Sequence, residues 1–166
     1  MMSRGHLPLV SPWLYRLAVR QVARRIPSGN VPAVRELAGV FCTSPDAKAR
    51  HLAGEGLRHL KTTEQIETLC HESLLRDNDG LLALARECRY LPSVPAGQAL
   101  WFFCTAQMEE LRRIDPDPSG PLLAAAYRGA SAPLRSRARR AARTNGSSVL
   151  LALTLAARGL LKRRRP

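Results

Sequence analysis

The chain has 166 residues, 45% of them hydrophobic and 5% aromatic, and 26 Lys and Arg against 13 Asp and Glu give it a net charge of +13. That length and apolar content suit one domain with a real core and exclude a disordered chain. The charge gathers at the two ends. Residues 1–30 hold five Arg and no acid, residues 31–111 hold eight basic and eleven acidic side chains, and residues 112–166 hold thirteen basic groups against Asp115 and Asp117.

Leu, Ala and Arg dominate and β-branched residues are few, a composition that favours helix. Twelve Pro and eleven Gly punctuate it into many short helices. Ser11-Pro12, Val31-Pro32, Ser44-Pro45, Val94-Pro95, Gly120-Pro121 and Ser131 with Pro133 each place Pro in a first helical turn, where its missing N–H costs nothing. Thr62 with Gln65 has capping-box spacing, and Asp77 or Asn78 can cap the following helix. The predicted helices are 12–26, 32–42, 45–60, 63–76, 79–90, 96–113, 121–129, 132–144 and 147–161.

Apolar spacing agrees. Ile66, Leu69, Cys70 and Leu74 follow i, i+3, i+4, i+8. In 12–26, Tyr15, Val19, Val22 and Ile26 form one stripe with Arg16, Arg20 and Arg24 opposite, which suits a first cap helix and also a helix lying on an anionic membrane. No stretch alternates with period two, so no strand is expected. Loops of two to five residues make neighbouring helices antiparallel hairpins. Asp46 and Asp79 open equivalent Ala/Leu-rich helices 33 residues apart, a period of stacked hairpins. The fold expected is all-α, an α-solenoid of about four hairpins. A basic cap helix would occupy 1–30, the helical repeat 31–161 and a basic tail 162–166.

Asp46–Tyr90 resembles a pair of bacterial HEAT-like repeats. Ala99–Gln107, then Arg113-Ile114-Asp115, Leu123–Tyr127 and Leu134–Arg137, resemble a recurrent C-terminal portion of bacterial HEAT-repeat proteins, often joined to WD-repeat propellers. The resemblance covers about residues 31–148. It implies a superhelical scaffold for protein interaction and supplies no catalytic residue. This chain lacks the appended propeller, so a separate protein is the partner it implies.

The chemistry-bearing residues form no catalytic constellation. Cys42, Cys70, Cys88 and Cys104 lie 28, 18 and 16 residues apart among apolar neighbours, without a C-x-x-C pair, and read as reduced core thiols. A HEAT-like di-iron hydroxylase uses several His-Glu pairs, whereas only His71-Glu72 occurs here, and an exposed polar turn explains it. A HEAT-like alkylpurine DNA glycosylase would cast Trp101, Asp115 and the C-terminal Arg as stacking, catalytic and phosphate groups. Trp101, however, falls in an apolar run, and Asp115 lies in an Asp-Pro-Asp-Pro turn. No cofactor or metal is expected. No signal-peptide core forms, and Val149–Ala157 is too short to span a bilayer, so a cytoplasmic protein without a membrane partner is expected.

What remains is charge. Arg128, Arg135, Arg137, Arg139, Arg140 and Arg143 concentrate on two helices. With Leu134, Ala138 and Ala141 turned to the core, the five Arg of 132–144 are expected to face outward and to meet an acidic partner or a polyanion. Lys occurs only at 48, 61 and 162, so the Arg excess also fits the codon bias of a GC-rich genome. The function expected is a non-catalytic protein-binding or scaffolding module. Nucleic-acid binding through the basic C-terminal third is the alternative.

Overall fold

A computed structural model describes residues 11–145. Among these the protein is all-helical: α1 (Pro12–Ala23), α2 (Val31–Thr43), α3 (Ala47–Leu57), α4 (Thr63–Arg76), α5 (Asp79–Glu87), α6 (Pro95–Cys104), α7 (Met108–Ile114), α8 (Pro121–Gly129) and α9 (Ala132–Asn145), with a 3-10 turn at Ile26–Ser28. The predicted helix 147–161 and the tail Lys162–Arg165 lie outside the described residues.

Helix starts follow local chemistry. Asn30 accepts from the Ala33 N–H at 2.9 Å, and Asn78 from that of Leu81 at 3.0 Å. Asp46 accepts from the Lys48 N–H at 3.0 Å, which moves the start of α3 two residues past Pro45. The capping box forms: the Gln65 N–H donates to Thr62 Oγ1 and the Thr62 N–H to Gln65 Oε1, both at 3.2 Å. Gly120 has no side chain to cap α8. Buried Asp115 does so from five residues further back, its carboxylate accepting from the Leu123 N–H at 2.9 Å.

The predicted helix 96–113 is two helices. At Thr105–Gln107 the chain turns through left-handed Ala106 (φ 59°), and the Gln107 and Ala106 N–H groups donate back to Phe102 and Phe103 carbonyls at 2.8 and 3.3 Å, the Schellman pattern. α5 ends the same way through Arg89 (φ 57°). A left-handed conformation costs an L-residue about 1 kcal/mol, which glycine does not incur. Arg89→Gly and Ala106→Gly are therefore each expected to raise unfolding free energy by up to about 1 kcal/mol, read as a higher urea midpoint. A lower midpoint would contradict the strain.

The chain divides into two compact units, residues 1–69 and 70–166, with the division falling inside α4. In the N-terminal unit α1, α2 and α3 pack on one another around Val19, Val34, Leu37, Ala53 and Leu57. Gly56 lets α3 approach closely, since a Cβ there would lie 2.9 Å from Leu37 and 3.0 Å from Ala23. In the C-terminal unit α6 is central and packs against α7, α8 and α9, its Trp101 and Phe103 fully buried.

Candidate functional site

α9 carries the densest charge. Leu134, Ala138 and Ala142 are buried, while Ala141, expected in the core, is only half-buried. Arg139, Arg140 and Arg143 are exposed and Arg135 half-exposed, as is expected of an outward arc; Arg128 is exposed on α8.

Arg137 departs from the expectation. It is 8% exposed and sits against the core beside Leu134, where Asp77, in the loop between α4 and α5, reaches it. Asp77 contacts both Arg137 and Arg140. The Arg137 Nη1 makes an ion pair with Asp77 Oδ1, while its Nε has no acceptor. Burial depresses the Arg137 pKa below the ordinary guanidinium value, and the neighbouring Arg140 charge lowers it further. A helical wheel misses this, because a long Arg at the edge of an apolar stripe can be drawn inward by a carboxylate distant in sequence. Arg137 is thus a structural cation, and the arginines left exposed or half-exposed on these two helices are Arg128, Arg135, Arg139, Arg140 and Arg143.

Of these, Arg140 has Asp77 beside it, and the acids that follow α7 are engaged elsewhere. Asp115 is tied to the start of α8, and Asp117 accepts from the Ser119 N–H at 2.8 Å. That backbone bond, followed by the Ser119 hydroxyl, holds the Asp117 carboxyl below its usual pKa. Arg128, Arg135, Arg139 and Arg143 have no carboxylate partner among the described residues.

The residues considered for other chemistries have structural places. Trp101 is fully buried and Asp115 is a buried cap, so neither faces a nucleotide. His71 is exposed, and Glu72 accepts from Arg76 Nε at 2.9 Å, one turn along α4. No disulfide links the four cysteines, all of them described residues. Burial pushes the Cys104 thiol up to about 12, so it is no nucleophile at neutral pH.

The N-terminal unit holds a feature the sequence stripe did not disclose. Val19 and Ile26 are buried as expected, but a second apolar edge of α1 remains exposed: Trp13 at 66%, Leu14 at 50% and Leu17 at 38%. Its signal was present as i, i+1, i+4 spacing, overshadowed by the interleaved Arg. Arg16, expected opposite the core, is half-buried and forks onto Asp46, Nε to Oδ2 at 2.6 Å and Nη2 to Oδ1 at 3.2 Å. The Arg16 hydrogen bond holds the Asp46 carboxyl below its usual pKa, and the Lys48 N–H assists. A depressed folded pKa means that this stabilisation is complete at neutral pH and is lost as pH falls through the carboxylate range. Asp46→Asn should therefore flatten the acid limb of the stability profile; an unchanged limb would show that the pair contributes nothing.

Among the described residues no helix is long and apolar enough to cross a membrane. The chain matches no protein-family model, no characterised protein and no solved structure.

Proposed function

We propose that this chain is a non-catalytic binding module, a HEAT-like α-solenoid of about four hairpins that engages the acidic face of a protein partner through α8 and α9. The repeat reading draws on the element spacing: α3 and α5 start at 47 and 79, α4 and α6 at 63 and 95, so both members of the pair recur after 32 residues. The contact reading rests on one observation, the exposed guanidinium groups of Arg128, Arg139 and Arg143 without an acid beside them. Crowded like charges favour an external counter-surface, and a rigid helix presents them in fixed register. A protein face is preferred to a base-excising role because Trp101 and Asp115 are occupied elsewhere.

Salt titration against polyglutamate and duplex DNA tests this. The Arg135→Gln, Arg139→Gln, Arg143→Gln triple variant should fold normally and lose the salt-dependent part of both affinities. DNA binding by the parent should weaken by about one log–log unit per phosphate contact and vanish near physiological salt. Tight DNA binding that persists at physiological salt would make nucleic acid the partner.

A further inference from the structure

The exposed edge of α1 borders a concavity. Between α1 and α3 a groove of about 400 Å³ is lined by Trp13, Leu17 and Leu52 with Arg20, Lys48 and His51 around them. Arg20 and Leu52 also line a second depression of about 360 Å³ that reaches Ala23, Arg24 and Ile26, so the two adjoin and make an interrupted channel along α1. Its floor is aliphatic and its rim cationic. Arg16 is engaged with Asp46, but Arg20, Arg24 and Lys48 have no carboxylate partner among the described residues. Glu55, the acid on this rim, accepts from Arg58 Nη1 at 3.0 Å.

We propose that this channel docks one amphipathic helical segment of an acidic protein partner. Apolar side chains at i, i+3 and i+4 enter between Trp13, Leu17 and Leu52, and carboxylates flanking that stripe meet Arg20, Arg24 and Lys48. The 12 residues of α1 span about 18 Å, room for roughly three turns of a partner helix. Complementarity selects this occupant over others. A single-stranded nucleic acid needs a row of stacking platforms, whereas the groove offers the Trp13 indole and the His51 imidazole, with Leu17 and Leu52 as its other apolar lining. A bilayer surface needs its apolar residues on a convex face, whereas Leu17 and Leu52 line a recess between two helices. The groove shares no residue with α9, so it stands or falls independently of the arginine contact proposed above.

The test uses the full chain and a helix-forming peptide of about sixteen residues with a Leu stripe and Glu elsewhere. Its control is a peptide of the same composition with the stripe scrambled. The protein's two tryptophans are Trp13 and fully buried Trp101, so a blue shift of emission on titration reports Trp13. The striped peptide should bind with that shift and the scrambled one about tenfold more weakly. The Arg20→Glu, Lys48→Glu variant, altered at two exposed positions, should keep its circular dichroism, lose at least about tenfold in affinity, and regain it for a peptide with Lys in place of Glu. The α9 triple variant should bind as the parent does. Equal binding of striped and scrambled peptides, no loss in the charge-reversed variant, or tighter binding of oligothymidylate or phosphatidylserine vesicles at the same residues would overturn the proposal.

Discussion

Replacing Gln65 with Ala is expected to destabilise the N-terminal unit by about 3 kcal/mol, well beyond the roughly 1 kcal/mol of an ordinary capping residue. Gln65 is fully buried and serves two purposes. Its Oε1 accepts from the Lys61 and Thr62 N–H groups at 3.1 and 3.2 Å, closing the capping box of α4. Its Nε2 donates to the Ile26 carbonyl at 2.8 Å, joining α4 to the turn that follows α1. Ala leaves the Lys61 and Thr62 donors to water, since both residues are exposed, but strands the buried Ile26 carbonyl beside a cavity. Thr62→Ala removes only the cap bond and should cost about 1 kcal/mol. Urea unfolding of the two variants separates the contributions. Equal losses would show that the Ile26 bond adds nothing.

Asp77 and Arg137 should respond with opposite signs. Asp77→Ala strips the carboxylate from a guanidinium that is nearly buried, and breaking such a pair from one side costs several kcal/mol. Asp77 is itself 38% exposed, so about 2–3 kcal/mol is expected. Arg137→Met keeps the apolar stem and removes the charge; since burial disfavours the Arg137 charge and its Nε has no acceptor, the change should be neutral or stabilising. Combining the two substitutions should recover most of what Asp77→Ala loses. A double variant as unstable as Asp77→Ala alone would mean that Asp77 acts through its left-handed backbone (φ 52°) and not through the ion pair.

Much of the fold was legible because helix starts are written locally. Pro12, Pro32, Pro95 and Pro121 stand in first turns, and the Thr62–Gln65 box and Asn78 cap as their spacing predicted, whereas Asp46 takes the cap that Ser44-Pro45 suggested two residues earlier. The ends were harder. The break between α6 and α7 lies at Ala106, which adopts the conformation normally signalled by Gly, and nothing in Thr105-Ala106-Gln107 announces it. Asp115 reads as turn chemistry, and only three dimensions show its carboxylate under the first turn of α8.

The candidate surface was legible in the same measure. The outward positions of Arg128, Arg139, Arg140 and Arg143 follow from helical periodicity, which is a local property. The inward turn of Arg137 depends on Asp77, sixty positions earlier, and no periodicity encodes that. The groove beside Trp13 depends likewise on how closely α3 approaches α1, which Gly56 permits.

Affinity capture on the tagged full chain, with and without nuclease and in parallel with the α9 triple variant, tests the binding reading most directly. The same acidic protein should be recovered by the parent before and after nuclease and be lost with the Arg135→Gln, Arg139→Gln, Arg143→Gln variant. Recovery that disappears on nuclease treatment, or that the triple variant leaves unchanged, would contradict a protein partner held by the α9 arginines.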